Sequence, residues 1–207
     1  MEAKTEFYYR TVGQGGFAEF KDRGSRFLAY VFPIDHENAF KLRLQELKEA
    51  HPKAVHHCFA WRLGHTSDLF RANDDGEPSG TAGRPILGQI DSKELTNVAI
   101  VVVRYFGGSL LGVPGLINAY KTASSLALQV TPIVDKVLTR NYHIHCTYPQ
   151  LNEVMTILKQ DECGILKIDQ TLFCDIYAAI PLNHETHILH KLNQIHPITI
   201  TEWNPKS

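Results

Sequence analysis

The sequence contains no C-x-x-C pair. Its four cysteines, Cys58, Cys146, Cys163 and Cys174, stand far apart, so neither a zinc ribbon nor a disulfide framework is signalled, and reduced, mostly buried thiols are the expectation. No apolar run approaches the roughly 20 residues that a bilayer demands. The opening segment, Met1–Glu6, is polar with no apolar stretch behind it, which predicts a cytoplasmic protein with no membrane partner. Excess charge of either sign is missing too. A net charge of −1 at pH 7 argues against a strongly electropositive nucleic-acid binder, so any basic surface has to be a local patch. Two phosphate-binding glycine motifs are also absent: no G-K-[ST] follows Gly107-Gly108, and these glycines with Gly112 do not make G-x-G-x-x-G. With 43% hydrophobic and 21% charged residues, what remains is an ordinary folded protein able to bury a substantial core.

Two stretches organise the chain. Val98–Val103 is the longest apolar run, with four valines and no polar alternation, and reads as a strand buried on both faces. Arg104, Tyr105 and Phe106 carry it to Gly107-Gly108, where the absence of Cβ permits positive φ and close approach. Beyond Gly112, Pro114 suits the start of a helix that Leu116, Tyr120, Ala123 and Ala127 continue at helical spacing. In the earlier stretch, Asp74, Asp75 and Glu77 crowd before Pro78. Ser79, Gly80, Thr81 and Gly83 then set small groups and backbone donors in front of Arg84-Pro85. A loop so dense in polar groups rarely serves only to connect.

Around these stretches the pattern predicts a strand at Tyr8–Val12 and a hairpin over Phe17–Pro33, turning at Asp22-Arg23-Gly24 with Lys21, Arg23 and Arg26 near the turn. Asp35 is the expected N-cap of a helix carrying Phe40, Leu44 and Leu47. His56–Leu63 alternates as a strand, and a short helix is expected over Pro85–Leu95, opened near Thr81. A short, stiff connection over Ile133–Arg140 marks a domain boundary, giving residues 1–135 and 136–207. The second domain reads β-α-β-β-α-β, the ferredoxin-like order, with Asn183 capping its last helix. One sheet face would carry His143, His145, Lys167, Phe173, Asp175, Tyr177 and Thr199.

Each chemical constellation has a bland counterpart. His57 and Cys58 are strand neighbours pointing to opposite faces, so a catalytic Cys/His pair is not expected there. His143 with His145, and His184 with His187, have metal-ligand spacing. No carboxylate or cysteine completes either set at convincing spacing, and no metal is assigned. Asp74, Asp75 and Glu77 suit Mg²⁺ and phosphoryl chemistry with Arg84 or Arg104, or else cap helix ends and pair with those arginines. The second reading is preferred, because no base or nucleophile accompanies them.

RYFGG at Arg104–Gly108, DDGEPSGTAG at Asp74–Gly83 and HHCFAWRLG at His56–Gly64 resemble the IMPACT family, in its bacterial, YigZ-like branch, over nearly the whole length. The loop departs from the family pattern in lacking a lysine across Ser109-Leu110-Leu111-Gly112 and in having Pro114 where glycine is common. The resemblance implies an α+β protein of two domains. The first would be an α/β sandwich like the second domain of a small-subunit ribosomal protein, and the second ferredoxin-like. It also implies a non-enzymatic binding protein of translational control, without a cofactor, whose partner is RNA, the ribosome or another protein. The candidate ligand or anion site is Ser79, Thr81, Arg84, Arg104, Gly107 and Gly108. Candidate nucleic-acid contacts are Lys21, Arg23, Arg26, Phe173 and Tyr177. The alternative is a metal-dependent phosphoester or small-molecule enzyme built on Asp74, Asp75 and Glu77.

Overall fold

The computed structural model describes residues 7–65 and 68–204; the polar opening segment Met1–Glu6 lies outside them. The chain is mixed α/β and divides into two compact units: Tyr9–Lys136 form one, and residues from Val137 onward, joined by Phe7 and Tyr8, form the other. No helix among the described residues is long and apolar enough to cross a membrane.

In the first unit, β1 (Tyr8–Val12) pairs with β7 (Ile133–Val137) in a two-stranded sheet. The main sheet has five antiparallel strands in the order β2-β3-β6-β4-β5. These are β2 (Gly16–Asp22), β3 (Ser25–Pro33), β4 (His56–Leu63), β5 (Leu69–Asn73) and β6 (Val98–Tyr105). The valine-rich β6 is central and buried on both faces, as its unbroken apolar run requires. One face, carrying Phe27, Ala29, Cys58, Ala60, Ile100 and Val102, packs against α2 (Gly83–Asp91) and α3 (Gly112–Gln129). The other, carrying Leu28, Phe59, Trp61, Val101 and Val103, packs against Phe40 of α1 (Glu37–Ala50). Period-2 alternation along β3 and β4 sorts their side chains between these two cores.

In the second unit the order is β8 (Thr139–Cys146), α4 (Tyr148–Gln160), β9 (Gly164–Gln170), β10 (Cys174–Pro181), α5 (Glu185–Leu192) and β11 (Ile198–Glu202). The strands form one antiparallel sheet in the order β11-β8-β10-β9. Ile144, Cys146, Ile176, Ala178 and Ile180 meet Val154 and Leu158 of α4 and Ile188 and Leu192 of α5.

Two expected caps are corrected. His36, not Asp35, precedes the first turn of α1, and the Asp35 carboxylate bonds the His36 ring instead. Asn183 lies one residue before the α5 cap position and donates to the Tyr8 hydroxyl. The supposed connection over Ile133–Arg140 is also mostly strand, because β7 and β8 run through it.

Candidate functional site

His56 and Arg104 are cross-strand partners at one end of β4 and β6, and Phe27 is the partner of Arg104 on β3, so the three share the α2/α3 face. The β5–α2 loop closes over this row and brings in Glu77. Arg104 Nη1 donates to Glu77 Oε1 at 2.5 Å, and the Tyr120 hydroxyl of α3 donates to the same oxygen at 2.7 Å. Both ends of the ion pair are buried, the Arg104 side chain to 7% exposure and that of Glu77 to 3%. Such a pair holds only if charge and hydrogen bonds are matched, since either charge alone would be stranded in a poorly solvated place. The guanidinium also lies over the rings of Phe27 and Phe106, at 5.4 and 5.7 Å, and its Nε has no hydrogen-bond partner among the described residues. His56 Nδ1 donates to the Asp75 carbonyl at 2.7 Å, and its Nε2 lies 3.9 Å from Glu77 Oε1.

The three acids of the loop do not converge. Asp74 accepts the backbone N–H groups of Gly80, Ala82 and Gly83 at 2.9, 3.0 and 2.8 Å, at the start of α2. Burial works against its ionisation, but these donors outweigh it, with the charge of Arg84 helping, and hold the carboxyl below its ordinary range. Asp75 accepts the N–H of His57 at 2.6 Å. Glu77 faces Arg104. Each acid thus has its own protein partner, and the shared cation cage needed by the acidic-loop enzyme is not formed.

Cys58 Sγ lies 3.0 Å from the Asp74 carbonyl and 3.3 Å from the Tyr120 hydroxyl. Burial pushes its thiol far up, and neighbouring acids add to the effect, so a nucleophilic thiolate is not available. Burial likewise drives the Tyr120 phenol far up, and it stays a donor to Glu77.

The glycine loop sits beside this cluster. Gly107 N–H donates to Ser25 Oγ at 3.1 Å, and a Cβ on Gly107 would come within 1.9 Å of the Gly24 carbonyl carbon, so only glycine fits there. Gly108, at φ +89, turns the chain toward α3. The two signature loops therefore meet at one end of the sheet and enclose a cleft of about 370 Å³, lined by His56, Glu77, Pro78, Arg104, Phe106 and Leu110–Gly112 among others. Its rim is apolar and exposed: Leu110 is 83%, Val55 55%, Val113 51% and Phe106 48% accessible. A larger hollow of about 630 Å³ between β3 and α1 contains none of the signature residues.

The candidate anion residues are thus dispersed. Arg104 is committed to Glu77, Thr81 Oγ1 donates to the Pro78 carbonyl at 2.7 Å, Ser79 stands exposed on the loop and Arg84 stands exposed in the first turn of α2. Of the basic triplet, Arg26 and Lys21 both reach Glu19, at 2.7 and 3.6 Å, while Arg23 Nη1 lies 3.5 Å from the Leu110 carbonyl. Tyr120 escaped the sequence reading because its spacing marks only a core position. The signal was a phenol among alanines on a buried helix face, since a buried hydroxyl needs a partner.

In the other unit, Phe173 is 46% exposed and packs on His145, whereas Tyr177 stacks on His143 and is tilted against Trp203. The expectation that no carboxylate completes the His143/His145 pair is corrected: Asp175 of the neighbouring strand accepts from both rings. Spacing along the chain does not reveal it, because strand register, Asp175 opposite His145, brings it there.

The Impact N-terminal domain family matches residues 23–128, the part of the chain that contains both loops. The chain is 36% identical over 159 residues to the IMPACT family member YigZ of Escherichia coli (strain K12), covering 76% of this chain and 78% of that protein. It is 33% identical over 183 residues to the IMPACT family member YvyE of Bacillus subtilis (strain 168), covering 88% and 81%. A solved structure described as that of a hypothetical protein superimposes with a TM-score of 0.77 at 29% identity, covering 97% of this chain and 99% of that one. This chain belongs to the IMPACT family and is similar to its bacterial YigZ-type members.

Proposed function

We propose that this chain is a non-enzymatic binding protein of translation. It would act in the cytoplasm and engage a protein surface, on the ribosome or on a translation factor, through the cleft between the two signature loops. We read its two units as the ribosomal-protein-like α/β sandwich and the ferredoxin-like domain that the family resemblance implies. One observation carries the reading. The polar signature groups, Asp74, Glu77, Arg104 and Tyr120, bond one another or the backbone, while Val55, Phe106, Leu110 and Val113 face solvent around the cleft. Buried ion pairs position such a rim, and exposed apolar groups around a concavity are what partner proteins cover. Naked RNA is the less suitable ligand, because Glu19 engages two of the three candidate cations.

The test compares binding of the folded chain to purified ribosomal particles and to protein-free single-stranded RNA. Wild type, Leu110→Asp/Val113→Asp and the Lys21/Arg23/Arg26 triple alanine are measured across a salt series. Binding to particles that the cleft variant loses and the triple alanine keeps, with little affinity for RNA, is the expected result. Binding to RNA as tight as to particles, abolished by the triple alanine, would overturn it.

A further inference from the structure

We propose that His143, His145 and Asp175 form a binding site for one divalent transition-metal ion of the zinc class on the sheet face of the C-terminal unit. His143 and His145 are two residues apart on β8 and therefore share a face. Asp175 on β10 is the register partner of His145 and the diagonal neighbour of His143. Nε2 of His143 and Nδ1 of His145 converge on a single oxygen, Asp175 Oδ1, at 2.7 and 2.8 Å. All three donor atoms lie within 4.8 Å of one another, and among the described residues no other group of three His, Cys, Asp or Glu side chains does so.

Two imidazoles and a carboxylate match the borderline ligand preference of Zn²⁺, and three protein ligands leave at least one position open. With bonds of about 2.0–2.2 Å, a tetrahedral ion sets its ligands roughly 3.3 Å apart, so each ring nitrogen must part from the Asp175 oxygen by about half an ångström. They have the room: side-chain exposure is 29% for His143, 40% for His145 and 28% for Asp175. The rings are held in place meanwhile, His143 stacked on Tyr177 at 4.8 Å and His145 against Phe173 at 4.9 Å. A hollow of about 220 Å³ beside His145, bordered by Phe173, Pro197 and Thr199, gives water or a small oxygen ligand access to the open position. Each ring binds through the lone pair of the nitrogen that faces Asp175 once the proton there has moved to the other ring nitrogen or left, so the ion meets one carboxylate charge and two lone pairs.

The metal-stripped full chain is titrated with Zn²⁺ against a chromophoric chelator, with Mg²⁺ as the control. Asp175→Asn, His145→Gln and the His184→Ala/His187→Ala pair are run beside wild type, each checked for folding by circular dichroism. We expect one Zn²⁺ per chain and no Mg²⁺ binding. Affinity should fall at least tenfold in Asp175→Asn and His145→Gln, and should not change in the helix pair. Substitution with Co²⁺ should give a ligand-field spectrum without a thiolate charge-transfer band, which separates this site from the cysteines. Ring ¹⁵N shifts of His143 and His145 in wild type should move on zinc addition, a reading that stands even if a variant fails to fold. Unmoved rings, or undiminished zinc binding in folded Asp175→Asn and His145→Gln, would overturn the proposal and leave a hydrogen-bonded cluster.

Discussion

At the scale of single residues, Glu77 and Arg104 matter most. Removing one partner of a buried ion pair strands the other charge, so Glu77→Ala and Arg104→Ala should each cost about 3–5 kcal/mol in urea unfolding. The double variant should cost clearly less than the two together, because no lone charge is then left. Strictly additive costs would show that the pair is not coupled. Asp74 governs the acid limb. Its carboxyl lies below its ordinary value of 3.8, so it binds a proton less readily folded than unfolded. The stability it contributes is therefore full above that value and is lost as pH falls through the lower, folded one. Asp74→Asn should be less stable than wild type at neutral pH, and the gap should narrow as pH drops below about 4. A gap that widens on acidification would contradict this. For these residues the sequence favours acids that cap helix ends and pair with Arg84 or Arg104, and the structure has Asp74 at the start of α2 and Glu77 on Arg104. Which acid takes which role was not legible, because spacing along the loop does not say how the loop folds, and Arg104 was equally a candidate for an external anion.

At the scale of elements, two glycines with opposite environments make a controlled comparison. Gly107→Ala drives a methyl into the Gly24 backbone and must push the β2–β3 turn off the glycine loop, at a cost of about 1–3 kcal/mol by thermal or urea unfolding. Gly88 sits inside α2 with nothing within 4 Å of an added Cβ, so Gly88→Ala should stabilise by about 0.5–1 kcal/mol. Equal effects would mean that the close approach at Gly107 is not tight. Elements were legible where one periodicity dominated, as in the valine run of β6 and the alternation along β8 and β10. They were not where tertiary pairing decides. β5 is an edge strand, Leu69–Asn73, with exposed Leu69 and Phe70 and no clean alternation. β7 exists because β1 pairs with it, a partner more than a hundred residues away. The caps at His36 and His184 use no side-chain bond, so cap chemistry could not reveal them.

At the scale of the whole molecule, the proposed binding surface combines an inner polar strut with an outer apolar rim. The strut of Glu77, Arg104 and Tyr120 ties the β5–α2 loop to the sheet and to α3. Its loss should weaken partner binding by loosening the cleft, even though none of the three need touch the partner. The most direct measurement is hydrogen exchange on the full chain with and without saturating ribosomal particles. Amides of residues 76–81 and 106–113 are predicted to slow several-fold on binding, and Leu110→Asp/Val113→Asp to abolish that change. Protection confined to residues 173–177 and the rest of the C-terminal sheet, or no protection at any amide, would contradict the cleft as the binding surface.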